Sequence, residues 1–450
     1  MSNFSSVQKS QLEGAHRIDA DYYQLEYLEV RKLVSHGATI TLGEISSKFK
    51  KGIFDIKADT YADEGVPFIR ISNLKNGLID EAGIAFISSD ANEKEKATSL
   101  HRGDLVLSKT AYPAASLITA DEVNISQDII GISIKKEWRE KILAPFLVAF
   151  LNSKYGLAEM QQWFQGNIQM HLSLPDSKKI LIPLLPIEIQ REVSNLFEES
   201  EAEIKKSANF YSQAEKLLLD EIGLTDKIFD EDLATRVRFS EIESAMRMDP
   251  DYFQPKYRKL ISILNKFEAK PLAELGEKKK GGEKIDPKKQ YQYSEISDVN
   301  VGDGDAGFNQ LQGSELPANA KNKITGGELI ISKVRPTRGA IAIIPEDWKE
   351  GHIVSGAFSV FSVESPLREY VQVVLRSIVG KLQFEKPTTG TSYPTIEDED
   401  VKNILIPMLP KMTQQKIADL VRQSHEARKK SKQLLEEAKH KVEEMIEKGE

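Results

Sequence analysis

Short runs of strand-like hydrophobic spacing and long runs of helical spacing follow one another along the chain, and the whole succession occurs twice. In the first half the strand signals are VPFIRISNL near Val66, DLVLSK near Asp104 and IIGISI near Ile129. In the second they are YQYSEISDV near Tyr291, ELIISK near Glu328, AIAII near Ala340 and FSVFSV near Phe358. Each is a short run, alternating or fully apolar, as expected of half-buried or fully buried strands. Glycines at 77, 103, 131, 302, 304, 307, 327 and 339 punctuate them as turns. A short tyrosine-rich helix from Asp21 to about His36 precedes the first strands. Further helices are expected at APFLVAFLNS from Ala144 and at LREYVQVVLRSIVG from Leu367. Both halves then reach an apolar strand, ILIPLLP or ILIPMLP, whose prolines cannot continue a ladder.

Beyond those prolines each half becomes one long helix, from about Ile187 to Ile222 and from about Met412 to Glu447. Val193, Phe197, Ser200, Ile204, Ser207, Tyr211, Ala214 and Leu218 recur in alternating steps of four and three. So do Ile417, Val421, Ser424, Arg428, Ser431, Leu435, Ala438 and Val442. A seam held for about four heptads is the pattern of a coiled coil. At 1.5 Å per residue such a helix is a rod of about 54 Å. The serines in the seam predict close helix approach, and two seams in one chain predict that the helices pair with each other.

The duplication can be read residue by residue. RIDADYYQLEYL at Arg17 matches RMDPDYFQPKYR at Arg247, and TLGEIS at Thr41 matches PLAELG at Pro271, both at an offset of 230. GDLVLSKT at Gly103 matches GELIISKV at Gly327, and KILIPLLP at Lys179 matches NILIPMLP at Asn403, both at an offset of 224. Ordered agreement over about 200 residues marks a true internal repeat, with a little loop lost from the second copy. The expected segments are residues 1–186, a first strand-rich module; 187–235, the first long helix and a linker; 236–409, the second module; and 410–450, the second long helix.

Composition narrows the class. The 450 residues are 40% hydrophobic and 29% charged, as in ordinary globular proteins, and too many for one domain. No apolar run is long enough to span a bilayer, and the first residues do not read as a signal peptide. The absence of cysteine excludes disulfides, thiolate zinc sites and a cysteine nucleophile, and fits the cytoplasm. The sequons at Asn3 and Asn124 are then chance matches. A net charge of −8 weighs against a simple nucleic-acid binder, although acid is concentrated at Glu198, Glu199, Glu201 and Glu203 and at residues 397–400. Basic surfaces elsewhere remain compatible with that total.

A module ending in ILIPLLPIEIQREV, followed by a long helix and then repeated, resembles the specificity subunit of type I restriction-modification systems. Pro183, Pro186 and Gln190, and again Pro407, Pro410 and Gln414, fit the family's proline-rich strand and glutamine-bearing helix start. GDLVLSKT and GELIISKV resemble its Gly-Asp-Leu strand, and GTSYPTI at Gly390 its Gly-Ser/Thr segment. The first copy departs from the pattern, with GNIQMHL at Gly166. The resemblance implies an α+β fold, with two repeated strand-rich target recognition domains separated by two long antiparallel coiled-coil helices. Each domain would read half of a split DNA sequence, and the helices would set the spacing and dock two methyltransferase subunits. It also implies motor-nuclease subunits, with S-adenosylmethionine, magnesium and ATP on the partners and no cofactor in this chain. Half-sites one helical turn apart lie about 34–36 Å from each other, within reach of such a rod.

Catalytic patterns are missing. The sequence has no phosphate loop of the G-x-x-x-x-G-K-[ST] type, no H-E-x-x-H, and no polar-aromatic motif for a flipped adenine. GDGDAG at Gly302 matches G-x-G-x-x-G but precedes no amphipathic helix, and reads as a hairpin loop. Pro250, Asp251, Glu268 and Lys270 loosely match a nuclease metal site, yet the other copy has Ala20, Asp21, Ala38 and Ile40 there.

The candidate DNA contacts fall in two clusters per copy. Lys109 and Lys333 end the matched strand, where a cation can meet phosphate. Arg335 and Arg338 offer guanidinium forks for guanine, and Tyr112 a stacking surface. Gln165, Asn167, Gln169 and His171 in the first copy, and Thr389, Thr391 and Tyr393 in the second, offer polar groups for base edges or phosphates. The expected helix seam is Val193, Phe197, Ile204, Tyr211, Leu218, Ile417, Val421, Leu435 and Val442. A coiled-coil scaffold for protein partners in a phage-defence complex, without base readout, stays open on these residues alone.

Overall fold

The computed structural model describes residues 12, 17–54, 56–57, 60–75, 77–110, 112–166, 170–224, 236–282, 284–302, 304–348, 351–390 and 393–449. Packing divides the chain into two compact units, Met1–Ile204 with Arg428–Glu450, and Lys205–Ala427. Each unit therefore holds one strand-rich body and a part of both long helices.

In the first unit a five-stranded sheet runs Ser46–Lys51, Ile129–Ile134, Leu105–Ser108, Ala115–Leu117, Gly77–Leu78, and a second five-stranded sheet is built around Val66–Ile69 and Glu122–Ile125. Leu105–Ser108 is the middle strand and is buried throughout. Its side chains alternate between two cores, as the period of two requires. Leu105 and Leu107 face the helix Ala144–Asn152 and the long helices, while Val106 faces Leu100, Val123 and Ile125. The second unit repeats this with two four-stranded sheets. Leu329 and Ile331 face Tyr370 and Val374, while Ile330 packs with Ile324, Val354 and Val360. A strand covered on both faces reads as an unbroken apolar run, which is why DLVLSK and ELIISK stand out in sequence.

Local chemistry fixes the ends of these strands. Gly103 and Gly327 sit at φ 88 and 83, a conformation that a side chain disfavours. The following acid closes the turn: Asp104 Oδ2 accepts from the His101 N–H at 3.0 Å, and Glu328 Oε2 from the Thr325 N–H at 3.0 Å. Each proline-ended strand forms a two-stranded ribbon, Leu181–Pro183 with Thr39–Thr41 and Leu405–Ile406 with Lys270–Pro271. Gln190 and Gln414, buried at the helix starts, donate to the carbonyls of Leu185 and Leu409 at 2.9 and 2.7 Å.

Several helices are shorter than the sequence predicts. The tyrosine-rich helix is a 3-10 turn, Ala20–Tyr23, and a helix, Leu25–Val34, parted by Gln24 at ψ 140. LREYVQVVLRSIVG breaks into Leu367–Arg376 and Ile378–Glu385 because the Ser377 side chain caps the second helix by accepting from the Val379 N–H. Ser153 makes the same break before Lys154–Trp163.

The long helices run Ile187–Ile222 and Lys411–Lys448. Within the first unit they are antiparallel, since Ser200 meets Ser431 and Glu192 meets Lys441. Within the second, Ser207 meets Ser424, and Tyr211 and Leu218 share a core with Ile417 and Val421. Val193, Phe197, Tyr211, Leu218, Ile417, Val421 and Val442 are buried, while Ile204 and Leu435 are half-buried. Their neighbours Glu203 and Leu434 are buried instead. Arg428 instead lies 3.9 Å from Asp80, and Leu435 presses on Gly77, where a Cβ would lie 3.0 Å from its methyls. The seam is thus shared with side chains of the first body, which a heptad count on the helices alone does not show. Among the described residues no helix is long and apolar enough to cross a membrane.

Candidate nucleic-acid interface

The two candidate clusters of each body are one structure. In the first body, Lys109 and Thr110 leave the central strand and meet a hairpin closed by Gln165 and His171. Gln165 and His171 exchange backbone hydrogen bonds of 2.9 and 2.8 Å, and the Leu172 N–H donates to the Lys109 carbonyl at 2.9 Å. In the second body, Thr389 and Thr395 exchange bonds of 3.1 and 2.9 Å, and the Ile396 N–H donates to the Lys333 carbonyl at 3.0 Å. All these positions correspond at the offset of 224. Gly166 and Gly390 open the two hairpins at φ 118 and 88. Gln165 and His171 therefore pair as Thr389 and Thr395 do, because the ladder uses backbone groups that any sequence supplies.

The second body presents the sharper chemistry. Arg335 adopts φ 48, its N–H donates to the Pro394 carbonyl at 2.7 Å, and its guanidinium lies 4.7 Å from the centre of the Tyr393 ring. That ring is 70% exposed, and Thr389 and Arg338, whose N–H donates to the Arg335 carbonyl at 3.0 Å, are exposed as well. A guanidinium stacked on an aromatic face keeps its in-plane donors directed outward. Thr391 lies outside the described residues. Lys333 has another engagement: its Nζ lies 3.2 Å from Asp398, which Lys278 also approaches at 2.8 Å. Burial pushes the Asp398 carboxyl up, but hydrogen bonds from Lys278, Ser359 and Lys333 outweigh it and hold the group at about 2. Part of the Lys333 charge is thus already answered within the chain.

In the first body Lys109 is half-buried, while Tyr112, Gln165 and His171 are exposed. Burial of part of the ring raises the Tyr112 phenol. Gln165 Nε2 donates to Asp176 at 3.2 Å. Asn167 and Gln169 lie outside the described residues.

One contributor carried no role in the sequence. Arg17 pairs with Asp19 at 2.6 Å and reaches the Gln162 carbonyl at 3.4 Å. Arg247 pairs with Asp249 at 2.7 Å and reaches the carbonyls of Pro387 and Thr388 at 3.0 and 3.4 Å. These are the bases of the two hairpins, so the best-matched segment of the repeat braces the loops. The repeated Arg-x-Asp spacing was the visible signal. In the loose nuclease match Lys270 lies 3.9 Å from Glu268, and among the described residues no group of three acids or histidines is placed to hold a metal.

No curated protein matches the chain. Among solved structures it is similar to the S subunit of a type I restriction-modification system from M. genitalium, at 12% identity and a TM-score of 0.37, covering 92% of this chain and 95% of that one. It is also similar to the HsdS subunit from Thermoanaerobacter tengcongensis, at 15% identity and a TM-score of 0.28, covering 92% and 96%. The weight falls on a family model, the type I restriction modification DNA specificity domain, which matches residues 37–209 and again 265–440. Those two segments make up most of the chain, and each spans one body with its loop, hairpin and helix start. The chain belongs to the family of type I restriction-modification DNA specificity subunits.

Proposed function

We propose that this chain reads a two-part sequence in double-stranded DNA, one part with each module, and performs no chemistry itself. The reading takes residues 1–186 and 236–409 as the two recognition domains, and 187–235 and 410–450 as the helices that set their spacing and dock two methyltransferase subunits. Motor-nuclease subunits would join the same complex, with S-adenosylmethionine, magnesium and ATP bound by the partners. The observation that carries it is the joining of two polar loops at one place in each body, at matching positions of the repeat. Specificity subunits of this family are in general non-catalytic, which agrees with the assignment of chemistry to partners.

Within this reading Arg335 and Arg338 address guanine edges, stacked or exposed beside Tyr393, while Thr389 and Thr391 offer hydroxyls to bases or phosphates. In the first module Tyr112, Gln165, Asn167, Gln169 and His171 present a different set, so the two half-sites differ in sequence. Lys109 contacts phosphate. The test is an exchange of residues 240–408 with those of a relative of different specificity, followed by sequencing of methylated positions in cells that carry the complex. One half of the methylated sequence changes and the other stays. A change in both halves, or in neither, removes the modular reading.

A further inference from the structure

Each base-contacting loop ends at a residue held from the inside by the last residue of a buried helix. In the first body the helix Ala144–Asn152 ends in Asn152, which is buried. Its Oδ1 accepts from the Ala115 N–H at 3.0 Å, and its Nδ2 donates to the carbonyls of Ala115 and Val148 at 2.8 and 2.9 Å. Ala115 is where the loop carrying Tyr112 rejoins the sheet. In the second body the helix Leu367–Arg376 ends in Arg376, also buried. Its Nη1 donates to the Gly339 carbonyl at 2.7 Å and more weakly to that of Ile341 at 3.3 Å, and its Nη2 to that of Val301 at 2.9 Å. Gly339, at φ 81, closes the turn Pro336–Arg338 that carries the arginines. Asn152 corresponds to Arg376, and Ala115 to Gly339, at the same offset of 224. The joint has been kept in place while its chemistry changed.

The second joint reaches further than the first. Arg376 Nε donates to the Tyr211 hydroxyl at 2.6 Å, and the guanidinium lies 5.1 Å from the centre of that ring. Tyr211 belongs to the long helix Ile187–Ile222. One buried side chain thus bonds the arginine turn and the helix at once. The residue corresponding to Tyr211 is Leu435, which packs on Gly77 through methyl groups. A hydrogen-bonded joint has fixed distances and directions, whereas an apolar one constrains only volume.

We infer that Asn152 and Arg376 are positioning residues, one for the base-reading loop of each module, and that Arg376 with Tyr211 ties the second loop to the long helix. The inference rests on the DNA reading proposed above. A buried guanidinium that loses an acceptor leaves donors unsatisfied, so the turn must shift to satisfy them. A shift of the turn moves the forks of Arg335 and Arg338 off the base edges without removing either charge.

The test is selection by the full chain from a pool of duplex DNA with randomised base pairs, followed by sequencing of the bound fraction. Wild type enriches a two-part sequence. Asn152→Ala loses about tenfold of its preference at one or more base pairs of one half only. Arg376→Lys and Tyr211→Phe lose a similar factor in the other half only, with the salt dependence of binding unchanged because phosphate contacts remain. Tyr211→Phe keeps the ring and its packing, so it reports on the hydrogen bond in a folded chain. Equal broadening of both halves by any of these variants would mean general loosening and overturns the inference. Unaltered preferences in Tyr211→Phe and Arg376→Lys overturn it as well. If wild type enriches no two-part sequence, the DNA reading itself falls, an outcome distinct from a failure of positioning.

Discussion

The hydroxyls of Ser200 and Ser431 lie 2.7 Å apart, both buried, one on each long helix. Ser207 and Ser424 repeat the contact at 3.0 Å, and the offset of 224 turns one pair into the other. A hydroxyl pair this close needs helix backbones near each other, which only small side chains allow. Ser431→Leu therefore overpacks the seam and destabilises the chain by about 1–3 kcal/mol. Replacing both Ser200 and Ser431 by alanine is nearly neutral, since no donor is left unmatched. Thermal melting of the two variants checks the contrast, and equal losses in both would contradict it.

Lys109 and Lys333 occupy matching positions but differ in their partners. Lys109→Ala flattens the log–log salt dependence of DNA binding by about one unit if its ammonium meets phosphate. Lys333→Ala flattens it by less, because Asp398 already answers part of that charge at 3.2 Å. Anisotropy titrations over a series of salt concentrations measure both slopes. Equal slopes for the two variants would show that the ion pair opens on DNA.

Asp398 gives the second body a pH signature. Its carboxyl is held at about 2, below the value of about 3.9 expected in an unfolded chain. A group depressed in the folded state stabilises it above the unfolded value, and that contribution is lost as pH falls from about 4 towards about 2. Asp398→Asn removes this part of the acid sensitivity and frees Lys278 and Lys333. Melting curves of wild type and variant converge at the acid end of that window; curves that stay parallel throughout would show that the carboxylate contributes nothing.

Arg335 and Arg338 should be separable by what they read. Alanine at either position relaxes one half-site by roughly 1–3 kcal/mol against the preferred base pair and leaves the other half-site intact. Tyr393→Ala affects the same half by freeing the guanidinium to sample other directions. Competition with duplexes altered in one half at a time measures this, and an effect spread over both halves would count against independent modules.

The repeat, the two long helices with their seams and the central strand of each body were legible in the sequence because each rests on a period. Apolar spacing of two marks the strands and 3.5 the seam, and a duplicated chain shows each period twice. The limits of Ile187–Ile222 were readable for the same reason. Breaks at Gln24 and Ser377 were not, since a single residue with an extended backbone, ψ 140 and 175, can end a helix against the surrounding pattern.

Loop partnership belongs to the tertiary structure. GNIQMHL and GTSYPTI share little beyond their first glycine, yet Gln165 pairs with His171 as Thr389 pairs with Thr395, beside the same strand end, because backbone hydrogen bonds set that closure. The pairing of Arg335 with Tyr393 joins residues 58 positions apart in the chain, and the joints at Asn152 and Arg376 join elements whose separation no local period encodes. The sequence determined which segments repeat and which faces are apolar, since hydrophobic burial acts through patterns along the chain. Which polar groups meet was decided only by folding, because a hydrogen bond depends on a distance and an angle between residues that spacing along the chain leaves free.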